Sequence, residues 1–302
     1  MSNMILSSGI LTTLRQQVSA LLKPTLTAAL SACAIFALSA CSQDKGTTTE
    51  QGIANNDANN DAGQTETIRI AAAANLADVL PDIIEGYKTD NNLPNQNIEV
   101  SYASSGKLYA QIQSGAPYDI FLSANQEFPE KWVAERPTTA TNAQPFTYTQ
   151  GQLSVYSATK PMSGLTPTSL VELLTTQKDS KITIASPELA PYGASAKVYL
   201  QTQNIYDSLN NQQRIIQAEN IGQAFQYAHT GNVDYGFVAQ SQVTAIKAKP
   251  EQFYILPVDS YPAILQDGVV ISDSAVATDF ASYLLSPAGQ QYFVKAGYLE
   301  VR

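Results

Sequence analysis

The sequence predicts an α/β fold with mostly parallel strands, arranged in two lobes. Three observations carry that reading. From Thr67 onward, short apolar runs alternate with segments whose apolar residues recur every three or four positions, the pattern of strands feeding amphipathic helices. The 302 residues suit two cores at roughly one per 150 residues, and the 44% hydrophobic content is ample to fill them. The halves also have two natural meeting points, at Tyr148-Thr149-Gln150-Gly151 and at 257–268. The first lobe is therefore expected from 67–148 with 262–302, and the second from 149–261.

Residues 68–72 (IRIAA) form the first strand. Leu76, Val79, Leu80, Ile83, Ile84 and Tyr87 then fall on one helix face. A second strand spans 98–102, Leu108 and Ile112 mark the next helix, and 119–123 (DIFLS) is a third strand. Further strands are expected at 152–157, 181–186, 233–238, 253–258 and 268–272. The stretch 275–296 reads as two helices split at Pro287, because proline cannot continue a helix. No internal repeat is visible.

Upstream of the strands the chain reads as an address. Residues 24–40 are apolar and rich in small residues, follow Arg15 and Lys23, and are too short for a comfortable membrane span. They end in Leu38-Ser39-Ala40-Cys41, small residues before a cysteine that can accept lipid. Residues 1–41 are thus expected to be a lipoprotein signal peptide with Cys41 the lipidation site, its acyl chains anchoring the exported protein in a membrane. The alternative is an ordinary cleavage site with an incidental cysteine. Residues 42–66 lack large apolar residues apart from Ile53 and read as a flexible tether.

Composition excludes several functions. The formal charge of −9 grows more negative once Arg15 and Lys23 are removed, so nucleic acid is no partner. The two cysteines, Cys33 and Cys41, both precede the folded part, which leaves no disulfide framework or cysteine zinc site. With one histidine, His229, histidine-rich metal sites are also excluded.

Two strand-to-helix junctions carry the chemistry. In Ala72-Ala73-Ala74-Asn75-Leu76, Asn75 stands where a helix N-cap belongs. In Ala103-Ser104-Ser105-Gly106-Lys107 a second such turn opens the next helix. Helix starts offer unpaired N–H groups and the positive end of the dipole, so two of them at one sheet edge could grip a dianion without a cationic side chain. Plain capping is the alternative role for Asn75 and Ser105.

The runs IRIAAAANLADVLPDI and SYASSGKLYAQIQSGAPYDIFLSANQ, with SPELAPYGASAKVYL, AENIGQAF and NVDYGFV, resemble the periplasmic molybdate-binding protein family of ABC transporters over about 67–300. Gly115-Ala116-Pro117-x-Asp119 is the most specific block. The resemblance implies a two-lobed periplasmic-binding-protein fold, each lobe a mixed, mostly parallel sheet flanked by helices, with the ligand in the interlobe cleft. It implies an extracytoplasmic solute-binding protein, not an enzyme, that takes molybdate and tungstate for an ABC membrane permease, works as a monomer, and needs no cofactor. Carried over, the oxyanion contacts fall on Ala74 and Asn75, on Ser105 through hydroxyl and N–H, on Tyr192, and on the backbone N–H of Ile221. One branch of the family has Ser at the Asn75 position and a ligand tyrosine where this chain has Ala239, and Tyr192 is expected to replace that tyrosine. A site of donors only would disfavour protonated phosphate, cavity size would exclude sulfate, and the lobes would close around the ligand by a hinge.

Other readings are sulfate, phosphate or a small organic anion in the same fold, and a surface lipoprotein of structural role. Ser104-Ser105-Gly106-Lys107 has the S-x-x-K spacing of acyl-serine enzymes but lacks their S-D-N and K-T-G elements. Gly106-Lys107 lacks the rest of a P-loop. Lys107 and His229 are both expected on exposed helix faces.

Overall fold

The computed structural model describes residues 66–136 and 144–301. Cys41, the leader and nearly all of the tether lie outside these residues. Ten strands and ten α-helices are found among the described residues. The first sheet contains β1 (Ile68–Ala73), β2 (Ile98–Ala103), β3 (Ile120–Leu122), β4 (Phe146–Gly151) and β10 (Ile264–Val270), in the order β2-β1-β3-β10-β4. The second contains β5 (Leu153–Tyr156), β6 (Ile182–Ala185), β7 (Ile215–Ala218), β8 (Tyr235–Ala239) and β9 (Phe253–Ile255), in the order β7-β6-β8-β5-β9. Both sheets are mixed and share one plan. Three parallel strands are followed by one that runs against them, β10 in the first and β5 in the second, and then by an edge strand, β4 or β9, paired antiparallel to it and so running with the first three.

Helices cover the sheets: α1 (Leu80–Asp90), α2 (Ser105–Gln113), α3 (Glu127–Glu135), α9 (Ala275–Leu285) and α10 (Pro287–Lys295) around the first, α4 (Pro167–Thr176), α5 (Pro191–Thr202), α6 (Tyr206–Asn211), α7 (Ile221–His229) and α8 (Gln240–Ala245) around the second. On one face of the first sheet Ile68, Ile70 and Ile120 pack with Leu80, Ile83, Tyr87, Phe280 and Leu284. In the second, Val155, Ile182, Ile184 and Phe237 pack with Leu170, Leu174, Tyr199 and Leu200.

Several elements differ from the sequence reading. The helix expected from Leu76 instead begins at Leu80, after a single 3₁₀ turn over Ala74–Leu76. Pro81 explains the start, because its missing N–H is no loss in a first turn. β4 occupies the stretch read as a crossing. Its Tyr148 and Thr149 are buried, and the polar residues around them hide the strand. β10 starts at Ile264 rather than 268 because Gln266 and Asp267 sit buried inside it. β7 is absent from the sequence reading, since four residues at a sheet edge leave little pattern. The break at Pro287 is present, with Ser286 Oγ accepting the Gly289 N–H at 3.1 Å.

Strand register places the turns at the sheet edges. β1 and β2 end level, Ala73 opposite Ala103, so the Ala74-Asn75 and Ser104-Ser105 turns lie side by side. In the second sheet Ala185 is level with Ala218, which brings the chain leading to α5 beside the start of α7.

Far from these turns, Arg214 is buried without a carboxylate partner in hydrogen-bond contact. Its Nη2 donates to Leu174 O and Ser180 Oγ, both at 2.6 Å, and its Nε to Ser180 O at 2.9 Å. The guanidinium thereby closes the C-terminal end of α4, where cations are favoured. Replacing Arg214 with Met leaves those buried acceptors unpaired. A loss of about 2–4 kcal/mol is expected in denaturant unfolding, with any ligand affinity of the native protein unchanged.

Candidate functional site

At the level edges of the two sheets a small cavity opens between the lobes. From the first lobe it is lined by Ala73-Ala74-Asn75, Ala103-Ser104-Ser105 and Ala124; from the second by Ala190-Pro191-Tyr192 and Asn220-Ile221. All five residues singled out from the sequence, Ala74, Asn75, Ser105, Tyr192 and Ile221, are on this wall. No charged side chain is. Helices α2, α5 and α7 all begin there, and their first N–H groups have no acceptor within their own helices.

Each start is built differently. At α7, Asn220 Oδ1 accepts the Gln223 N–H at 2.9 Å, which leaves the N–H groups of Ile221 and Gly222 at the helix mouth. Gln242 fixes this start from α8 by donating Nε2 to Ile221 O at 3.2 Å. At α5, Ala190 has no side chain to cap with and Pro191 no N–H, so Tyr192 supplies the first donor. Gly193 follows because a Cβ there would lie 2.1 Å from Ala185 O, where α5 presses onto β6. At α2, Ser105 Oγ accepts the Ala124 N–H at 2.9 Å, which orients the hydroxyl and leaves its proton to donate elsewhere.

Capping, the alternative role for Asn75, is not what the structure shows. Its side-chain oxygen accepts no hydrogen bond and so caps nothing. Nδ2 donates to Gln266 Oε1 at 2.9 Å and to Tyr298 OH at 3.0 Å, while Asn75 O accepts from Tyr298 OH at 2.7 Å. Gln266, fully buried on β10, also accepts from Tyr148 OH at 3.1 Å and donates Nε2 to Tyr192 OH at 3.2 Å. One amide therefore ties the Asn75 wall to the Tyr192 wall. Asn75 Oδ1 remains buried without a partner, so the wall is not made of donors alone. Sequence reasoning missed Gln266 and Tyr298. The only signal was a polar Gln-Asp pair inside an apolar strand.

Tyr192 is buried, and its hydroxyl is held by Gln266 beside the Cα of Gly151, where a Cβ would come within 2.1 Å of it. Burial first, then the neighbouring Tyr298 and Tyr148, push its phenol well above the ordinary tyrosine range. It therefore keeps its proton. Ala239, its counterpart in the family pattern, is buried at the end of β8.

Lys107 is half exposed, as expected, but it also crosses the cleft to Glu219 Oε1 at 2.6 Å. Next to it the Gly106 N–H reaches Leu189 O on the other lobe at 2.9 Å. The ammonium is thus paired with a carboxylate and bonded to neither serine of the S-x-x-K run. His229 is exposed, with Nδ1 3.1 Å from Tyr156 OH and its ring stacked on Phe225. Among the described residues no cluster of His, Cys, Asp or Glu could hold a metal ion, and no helix is long and apolar enough to cross a membrane.

A model of the family described as bacterial extracellular solute-binding protein matches residues 68–299. The chain belongs to this family. This solute-binding protein is 32% identical over 241 residues to the molybdate-binding protein ModA of Azotobacter vinelandii, covering 78% of this chain and 91% of the relative. It is 33% identical over 209 residues to ModA of Rhodobacter capsulatus, covering 67% and 77%. The solved Azotobacter vinelandii periplasmic molybdate-binding protein superposes with a TM-score of 0.70 at 30% identity, over 78% of this chain and all of the other. The two-lobed fold of periplasmic solute-binding proteins is therefore shared.

The buried tyrosines set an alkaline limit. In Tyr148 and Tyr192 burial raises the phenol well above its ordinary value of 10.0, so the folded protein keeps protons that the unfolded chain releases. Their contribution to stability is complete below pH 10 and lost as pH rises through the folded values. Spectrophotometric titration is expected to show these phenols ionising only with unfolding, and unfolding free energy falling steadily above pH 10.

Proposed function

We propose that this solute-binding protein captures molybdate, and tungstate with little discrimination, outside the cytoplasmic membrane and delivers it to the permease of an ABC importer. The observation that carries the reading is the cavity wall, which meets its ligand with helix starts and hydroxyls and has no charged side chain. An acidic protein cannot draw in an anion by bulk attraction, but converging N–H groups replace the hydration of a desolvated dianion. The relatives' names, molybdate-binding proteins at 32–33% identity, supply the identity of the anion. Asn75, Ser105, Tyr192 and Ile221, with Ala74 beside them, are its contacts. Tyr192 contributes through its N–H at the α5 start, and its hydroxyl, which accepts from Gln266 Nε2, keeps its own proton for donation. The protein acts as a binding protein, not an enzyme, and as a monomer. Lipid on Cys41 and a tether over 42–66 hold it at the membrane. The lobes are taken as 67–148 with 262–302, and 149–261, although β4 carries the first sheet three residues past that boundary, to Gly151, before β5 opens the second at Leu153.

A second reading is a singly protonated oxyanion such as phosphate. The free acceptor at Asn75 Oδ1 favours it, since only a protonated ligand could donate there.

Thermal unfolding of residues 42–302 separates the two. Molybdate or tungstate at about a hundred times the dissociation constant stabilises by roughly 2.7 kcal/mol, whereas sulfate and phosphate leave Tm unchanged. A shift with phosphate alone selects the second reading, and no shift with any of the four overturns both. Asn75→Ala and Ser105→Ala are each expected to weaken molybdate binding by about tenfold or more.

Lys107 and Glu219 hold the lobes together across the cleft mouth. Their half exposure limits the pair to about 0–1 kcal/mol. Lys107→Met is expected to speed molybdate release up to about fivefold in stopped-flow measurements, with the difference from the native protein shrinking at high salt.

A further inference from the structure

Ser104 stands immediately before α2 with φ −65° and ψ 146°, the backbone of a helix N-cap. A serine there ordinarily accepts a first-turn N–H with its own side chain. This one does not. The Gly106 N–H, its natural partner, goes instead to Leu189 O on the opposite lobe at 2.9 Å. Ser104 O still accepts the Leu108 N–H at 3.0 Å, so the backbone keeps its place while the side chain is released. The residue is 2% exposed, it lines the cavity, and its Oγ has no hydrogen-bond partner.

A buried hydroxyl without a partner is costly to keep unless something that enters the site satisfies it. The neighbouring serine does not share this state, because Ser105 Oγ already accepts the Ala124 N–H. No charged side chain lines the cavity to compete for the Ser104 proton.

We propose that Ser104 is a direct ligand contact, donating its hydroxyl proton to a deprotonated oxygen of the bound oxyanion, in addition to the contacts at Asn75, Ser105, Tyr192 and Ile221. The proposal rests on the oxyanion reading of the cavity. It also sharpens that reading. A hydroxyl that serves as donor requires an acceptor oxygen at this point of the wall, so ligand selection at Ser104 is for an ionised oxygen, opposite in sense to the free acceptor of Asn75.

Calorimetric titration of residues 42–302 with sodium molybdate, for the native protein, Ser104→Ala and Ser104→Thr, tests it. Ser104→Ala is expected to lose about 10- to 100-fold in affinity, and Ser104→Thr, which keeps a hydroxyl, to recover most of that loss. Without ligand, Ser104→Ala should melt at the native temperature or slightly above, since it removes a polar group that had no partner. Native binding with unchanged affinity in Ser104→Ala overturns the Ser104 assignment and leaves the molybdate reading standing. An equal loss in both variants assigns the effect to packing and also overturns it. If the native protein binds sulfate or phosphate but not molybdate, the molybdate reading falls, and the same three-protein comparison with that anion decides Ser104. Binding of none of them overturns both.

Discussion

Taking a doubly charged ion out of water forfeits a hydration shell that no single hydrogen bond replaces. In a chain with 26 acidic and 17 basic residues, the replacement must come from dipoles that can be aimed. The architecture of both lobes meets that requirement. Strands that end level with one another put their following turns in one plane, and three of those turns open α2, α5 and α7, whose first N–H groups have no acceptor within their own helices. Ala73 opposite Ala103, and Ala185 opposite Ala218, are the registers that matter. Small residues are needed at these ends because larger side chains would fill the space the ligand needs.

Aimed dipoles are useful only if they are held. Gln266 does this with a single buried amide that accepts from Asn75 and Tyr148 and donates to Tyr192. It lies on β10, the strand by which the chain re-enters the first sheet from the second, so the groups facing one another across the cavity share a common reference. Tyr298 adds a second tie by both accepting from and donating to Asn75. Such a network is worth having only when nearly every member is satisfied. The two polar atoms on the wall that are left over, Asn75 Oδ1 and Ser104 Oγ, are therefore informative about what comes in.

How much of this could be read from the chain depends on the distance over which the deciding contact acts. The strand-to-helix junctions at 72–76 and 103–107 were legible because an apolar run, a few small residues and a helical period succeed one another locally. Pro287 split the last helices for an equally local reason. Capping stayed open as an alternative for Asn75 because a capping asparagine and a network asparagine look alike in sequence. What separates them are partners 191 and 223 positions away. β4 and the front half of β10 were hidden for a related reason. Their buried polar residues, Thr149, Gln266 and Asp267, break the alternation by which strands are recognised. Lys107 was placed correctly on the surface, yet nothing near it in the chain announced Glu219.

The cavity wall is electrically neutral, and its neutrality is insensitive to pH. Tyr192 is the only titratable side chain among its lining residues, and it keeps its proton far into the alkaline range. The protein therefore brings no proton equilibrium of its own to the wall across neutral and mildly acidic conditions. Any pH dependence that arises at the wall itself is that of the solute: an oxyanion of a strong acid meets an unchanged wall, and one of a weak acid changes its fit as it gains a proton. The acidity constant of the ligand becomes part of the recognition code.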